Sequence, residues 1–108
     1  MILAAGDVAR SKVSRPAWIR GIDHRVEPIH LGLRDLTVSE STRIAADKAG
    51  VAAGRVDVAE LHAPFSHQEL ILAEALGLDE TTSINPSGGA LAANPMMTAG
   101  LIRLGEVA

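Results

Sequence analysis

Thr82 to Arg103 reads TSINPSGGALAANPMMTAGLIR, and the rest of the chain is organised around this stretch. A short apolar segment ends at Asn85-Pro86, turns through Ser87-Gly88-Gly89 and restarts as a helix at Asn94-Pro95. Paired glycines let the main chain approach a ligand with no Cβ in the way, and a helix start adds unpaired N–H groups and the positive end of the dipole. The stretch reads as a strand, a binding loop and a helix. A Gly-Gly turn before an Asn-Pro helix start also serves as plain punctuation between two elements, and that reading stands beside the first.

The flanking sequence supplies the layers. Val56 to His62 begins as an alternating strand and delivers His62 to a loop that Pro64 stops. Ser66 followed by Glu69 is a capping box, opening an apolar helix through Leu70, Leu72, Ala73 and Leu76 to Gly77. Thr81 to Asn85 is a short strand, and Pro95 to Val107 is the last helix, with Met96, Leu101 and Leu104 as buried candidates. Ser39 caps a helix from Glu40 to Ala49 that Gly50 closes. Nearer the start, Met1 to Ala5 reads as a strand and Asp7 to Val13 as a helix capped by Asp7. Ala17 to Val26 reads as a second, imperfectly alternating strand, and Glu27 to Val38 as a loop. Strands separated by helices give an α/β fold.

Composition sets outer bounds. With 108 residues, 47% of them hydrophobic, residues 1–108 form one domain, and one Trp, one Phe and no Tyr make its core aliphatic. A net charge of −3 offers no basic footprint for nucleic acid. No apolar run reaches the roughly 20 residues that span a bilayer, and the start lacks a charged leader, so a cytoplasmic location is expected. The absence of cysteine removes disulfides, thiolate metal sites and any cysteine nucleophile from this chain.

Two motifs carry a family resemblance. Gly88-Gly89-Ala90-Leu91-Ala92-Ala93-Asn94-Pro95, followed by Gly100-Leu101-Ile102-Arg103, resembles the thiolase segment GGAxAxGHPxGAxGxR. Val56 to Phe65, VDVAELHAPF, resembles the thiolase strand ending in N-E-A-F, or in H-D-x-F in the sterol-carrier-type branch. The resemblance is weakest from Ile29 to Glu40. It implies the carboxy-terminal half of a thiolase fold, a mixed sheet with helices packed on it and without its closing strands. It further implies part of a lipid-transfer-type, acetyl-CoA acetyltransferase-like protein, with a coenzyme A thioester as substrate and no bound cofactor. The partners implied are acyl-CoA, the remainder of the thiolase fold, and a second copy or a partner subunit.

The resemblance assigns roles as well. His62 and Asn94 stand where the family builds an oxyanion hole for the thioester, while Phe65, Ser87, Gly88, Gly89 and Pro95 would form the substrate-binding wall. Asn94 replaces the family's histidine, and the segment before it is one residue shorter. An amide has no basic nitrogen, so it can polarise a carbonyl but cannot take a proton from a thiol. Asn94 also suits the N-cap of the last helix. The parent protein could therefore perform acyl transfer, cleave a carbon–carbon bond of a CoA-linked side chain without an acyl-enzyme, or serve as a non-catalytic binding or assembly subunit. His67 is read as surface or pocket wall. His24 and His30 with Asp23 and Glu27 could suggest a metal cluster, but loop spacing of this kind is common by chance and no supporting pattern accompanies it, so no metal is expected, and Arg10, Lys12, Arg15 and Arg20 are read as a solvated face.

Overall fold

A computed structural model describes all of the chain except residues 52 and 53. It is a small, mostly helical α/β domain with a two-stranded parallel sheet. Helix α1 spans Gly6–Lys12 and α2 Glu40–Ala49, with a 3-10 turn at Leu31–Leu33 between them. Strand β1 (Val58–Ala59), α3 (Ser66–Leu76) and β2 (Ser83–Ile84) follow as a strand-helix-strand unit, and α4 (Gly89–Ala92) and α5 (Ala99–Val107) complete the described elements. Parallel strands need a crossover, and α3 supplies it. Val58 pairs with Ser83 and Ala59 with Ile84.

The helix boundaries follow local chemistry, with three corrections to the sequence expectation. Asp7 lies in the first turn of α1 rather than at its cap, which Ala5 occupies; Asp7 there, with Arg10 and Lys12 in the last turn, complements the helix dipole. Ser39 does occupy the N-cap of α2, yet its hydroxyl turns to the Thr42 hydroxyl at 2.8 Å. The Glu27 carboxylate caps instead, accepting the Ser41 N–H at 3.0 Å and the Ser41 hydroxyl at 2.8 Å. At α3 the box is displaced by one residue. Phe65 takes the cap position, where the Gln68 side chain accepts its N–H at 3.3 Å, and Glu69 is drawn elsewhere. Gly50 and Gly77 close α2 and α3 in the left-handed conformation, at φ 83° and 64°.

Two expected strands are absent. Met1 to Ala5 and Ala17 to Val26 form neither strand nor helix beyond Ala5, and the described sheet is parallel rather than mixed. The second segment is committed elsewhere. A Cβ on Gly21 would come within 2.0 Å of the Ala49 carbonyl oxygen, so the chain passes directly against the end of α2. Trp18 folds back under the Arg10 guanidinium, 4.8 Å from its ring centre.

The core is thin and lies around the sheet ends. Its buried apolar residues are Ala59, Leu61, Ala63, Ala90 and Ala99, while α2 packs on α3. Compact monomers of this mass expose about 5,700 Å². The chain exposes 8218 Å², an excess of about 2,500 Å² on the same scaling. Its radius of gyration, 15.2 Å, likewise exceeds the roughly 13 Å of a compact chain of this length. No helix among the described residues is long and apolar enough to cross a membrane.

Candidate functional site

Both motif segments leave the sheet at the same edge. Parallel strands point their carboxy-terminal ends the same way, so β1 runs out into Glu60, Leu61 and His62 beside the exit of β2 into Asn85, Pro86 and Ser87. The ladder continues one step beyond the strands, with the Asn85 N–H donating to the Ala59 carbonyl at 2.8 Å. There the main chain of β2 turns away. Asn85 has φ 48°, a left-handed conformation that asparagine tolerates better than most residues. Its side-chain oxygen accepts the Leu61 N–H at 2.7 Å, prolonging the bonding between the two segments. Its main-chain oxygen is thereby free to accept the Gly88 N–H at 2.9 Å and close a turn in which Pro86 and Gly88 occupy favoured positions. The Asn85 amide NH₂ donates to Glu69 on α3, the partner that draws Glu69 from the cap.

The glycine pair is required by geometry at two points. Gly88 has φ 93° and Gly89 φ 60°, and a Cβ on Gly89 would lie 2.8 Å from Asn85 Cγ. The paired glycines therefore serve close contact of the loop with Asn85 and with Ala92 at the end of α4. Gly89 is itself buried.

Beneath the loop lies a buried ion pair. Glu60 Oε2 accepts from Arg103 Nη1 at 2.9 Å, with side-chain exposures of 1% and 8%. Ser87 joins them: its N–H donates to Glu60 Oε1 at 3.0 Å, its hydroxyl donates to Oε2 at 2.8 Å, and its oxygen accepts from Arg103 Nη1 at 2.9 Å. Burial pushes the Glu60 carboxyl up, but the Ser87 N–H, the Ser87 hydroxyl and the Arg103 charge outweigh it and hold the carboxyl below its ordinary range. Arg103 Nε is buried without a hydrogen-bond partner among the described residues. One network thus ties the end of β1, the loop after β2 and the middle of α5. The sequence places Ser87 in a ligand wall and Glu69 in a capping box, and assigns no side-chain role to Glu60, Asn85 or Arg103.

The named site residues are distributed over two places. His62 is exposed and opens on a depression of about 370 Å³ beside α3, whose wall also includes His67, Gln68, Arg34 and, at its apolar side, Ile71 and Leu72. His67 is a wall residue, as expected, and stacks on Phe65 with ring centres 5.9 Å apart. Phe65, Ser87, Gly88, Gly89, Asn94 and Pro95 do not line that depression. Asn94 and Pro95 lie exposed in the link between α4 and α5. Asn94 does not cap the last helix, which begins at Ala99 after Thr98; Pro95 starts a turn, its carbonyl accepting the N–H groups of Thr98 and Ala99 at 3.0 Å each. Among the described residues no group of three or more His, Cys, Asp or Glu is arranged to hold a metal ion.

The arrangement supplies exposed imidazoles at a strand's carboxy-terminal end and a rigid, hydrogen-bonded loop beside it. Neutral or charged imidazole can donate to a carbonyl oxygen, and the apolar side of the depression can cover a short aliphatic group. Comparison with family models, with curated proteins and with solved structures finds no match to this chain.

Proposed function

We propose that the chain is the carboxy-terminal part of a thiolase-like protein acting on acyl-CoA thioesters, in which His62 donates a hydrogen bond to the thioester oxygen. The observation that carries this reading is the convergence of the two motif segments. VDVAELHAPF and NPSGGALAANP leave adjacent parallel strands at one edge, and Ser87 and Asn85 lock each to the other. In this role His62 stabilises developing negative charge on oxygen, and the Ser87 to Gly89 loop forms a rigid wall beside the acyl-thioester. Asn94, exposed and free of a capping duty, presents an amide donor but no base.

No residue of the chain supplies a thiolate, so the acyl-enzyme of a thiolase would form on a cysteine of another polypeptide segment. The chain alone is expected to show no thiolysis or condensation with acetoacetyl-CoA and CoA. The same lack of a thiol and of a base at Asn94 favours, as the second reading, an acyl-CoA-binding subunit without chemistry of its own. Both readings require binding. Titration of the isotopically labelled chain with acetoacetyl-CoA, followed by nuclear magnetic resonance, should move resonances of His62 and of Ser87 to Gly89. The His62→Ala chain should bind more weakly. Unchanged spectra at millimolar ligand would remove acyl-CoA from both readings.

A further inference from the structure

Residues 27–38 supply one wall of the depression on which His62 opens, with Leu36 and Val38 as its aliphatic part, and Ile71 and Leu72 of α3 supply another. The first wall has little hold of its own. Its only regular element is the 3-10 turn at Leu31–Leu33, and the bonds that Asp35 accepts from the Thr37 N–H and hydroxyl stay within it. Among the described residues, every hydrogen bond that joins residues 27–38 to the rest of the chain runs to the Glu27 carboxylate. Its Oε1 accepts the Ser41 N–H at 3.0 Å and the Ser41 hydroxyl at 2.8 Å in the first turn of α2, with the Ser39 hydroxyl 3.4 Å away. Its Oε2 accepts from Arg34 Nη1 at 3.2 Å, farther along the same wall. One carboxylate therefore closes the segment into a compact loop and ties it to α2, which packs on α3. The Ser41 hydroxyl, the Ser41 N–H and the Arg34 guanidinium hold that carboxyl below its ordinary range against the effect of burial, so the anion makes these bonds.

We propose that Glu27 is the positioning residue of the His62 site: its carboxylate holds residues 27–38 in place, and the Leu36 and Val38 wall so fixed receives the acyl group of the thioester whose oxygen His62 engages. Leu36 and Val38 are 56% and 51% exposed, so an aliphatic group laid between them and α3 removes apolar surface from water on both sides. A wall that is in place only part of the time weakens binding by that fraction. The segment includes Ile29 to Glu40, where the family resemblance is weakest, so the wall is a feature of this chain rather than of the two motifs. The ligand named here rests on the acyl-CoA reading, whereas the placing of the wall does not.

The absence of cysteine makes the wall simple to follow, since a nitroxide on Leu36→Cys is attached at the only thiol present. It should broaden the amide resonances of His62, Ile71 and Leu72. Adding Glu27→Ala should remove most of that broadening, while adding Glu40→Ala, which breaks an exposed pair in the same turn of α2, should leave it. In the chains without the thiol, Glu27→Ala should weaken butyryl-CoA binding about tenfold and Glu40→Ala should not. A residue that merely caps α2 would lower the melting temperature and leave both broadening and affinity intact in the folded chain, and that result would overturn the proposal. Should Glu27→Ala fail to fold, Glu27→Gln keeps an oxygen for the Ser41 N–H but gives up the charge that holds Arg34; the same two losses should then appear in smaller measure, and their absence would equally overturn the proposal. A parent chain that does not bind butyryl-CoA would remove the acyl-CoA reading and the ligand named here, with the broadening still deciding the role of Glu27. A parent that binds no better than Glu27→Ala would overturn the positioning role alone.

Discussion

Replacing Glu60 with alanine should be among the most damaging single substitutions in the chain. It leaves the Arg103 guanidinium, on a residue 7% exposed and already holding one unpartnered nitrogen, buried without a counter-charge. It also removes the acceptor of the Ser87 N–H and hydroxyl. Breaking a buried ion pair from one side costs about 3–5 kcal/mol. A domain of this length holds a total of about 5–15 kcal/mol, and a core of one leucine and four alanines belongs at the low end. Glu60→Ala is therefore expected to be largely unfolded at 25 °C. Glu60→Ala combined with Arg103→Met should recover much of the loss, because the stranded charge has gone, with a coupling of about 2–3 kcal/mol. Urea unfolding followed by circular dichroism at one fixed chain concentration reads this cycle, with an excluded osmolyte added where the single variant has no folded baseline. The reference is Asp57→Ala, which removes the partner of Arg55 from a pair exposed at 70% and 75% and should leave the midpoint unchanged. If Glu60→Ala moves the midpoint no further than Asp57→Ala, the network does not hold the loop and the reasoning is wrong.

Other expectations follow from the same contacts. The Glu60 carboxyl is held below its ordinary range when folded, so its contribution is fully present above its unfolded value of about 4.3 and is lost as pH falls through the lower folded value. Acid unfolding should accordingly steepen below about pH 4, and Glu60→Gln should flatten that limb. Glu27, lowered chiefly by the Ser41 hydroxyl and then by the Ser41 N–H, adds to the slope in the same direction. Gly89→Ala forces a Cβ to 2.8 Å from Asn85 Cγ at φ 60° and should cost about 1–3 kcal/mol, whereas Gly32→Ala, with nothing within 4 Å, should be close to neutral in the same melt. Asn94→Ala should leave stability unchanged, because Asn94 is exposed and does not cap α5. A lowered melting temperature for that variant would restore the capping role.

What the sequence made legible was local. Glu40 to Ala49 and the crossover helix up to Gly77 follow from helix period and closing glycines, signals confined to a few neighbouring residues. The caps of α2 and α3 are not legible because groups far along the chain intervene, one satisfying the cap of α2 and the other drawing Glu69 away from that of α3. Glu27 reaches across 14 residues to Ser41, and Asn85 across 16 to Glu69. Strand expectations fared worst. Alternation in Ala17 to Val26 describes a side-chain pattern, but a strand exists only beside a partner, and Gly21 sets that segment against α2 instead. The turn at Asn85 to Gly89 was visible in its Asn-Pro and Gly-Gly, while the reason for it was not. Glu60 and Arg103 are 43 residues apart, and only the fold brings them to 2.9 Å. The one arginine of the last helix, placed four residues after Ala99, with a glutamate at a strand end, is the signal that could find them.

The ion pair also explains why α5 presents the face it does. Helix α5 carries both of its charges, Arg103 and Glu106, on the side of Ala99, and its leucines opposite, so burial of apolar surface alone would turn the leucine face inward. Arg103 holds the helix the other way round. Its guanidinium is held by Glu60 and Ser87, which fixes the roll of the helix, places Ala99 inward in the same column and turns Leu101 and Leu104 outward. Replacing that charge with a hydrophobic side chain would gain burial and lose this constraint, which is the use best attested for polar groups in otherwise apolar contacts. The same residues that lock the loop after β2 to the end of β1 therefore decide which surface of α5 is left exposed.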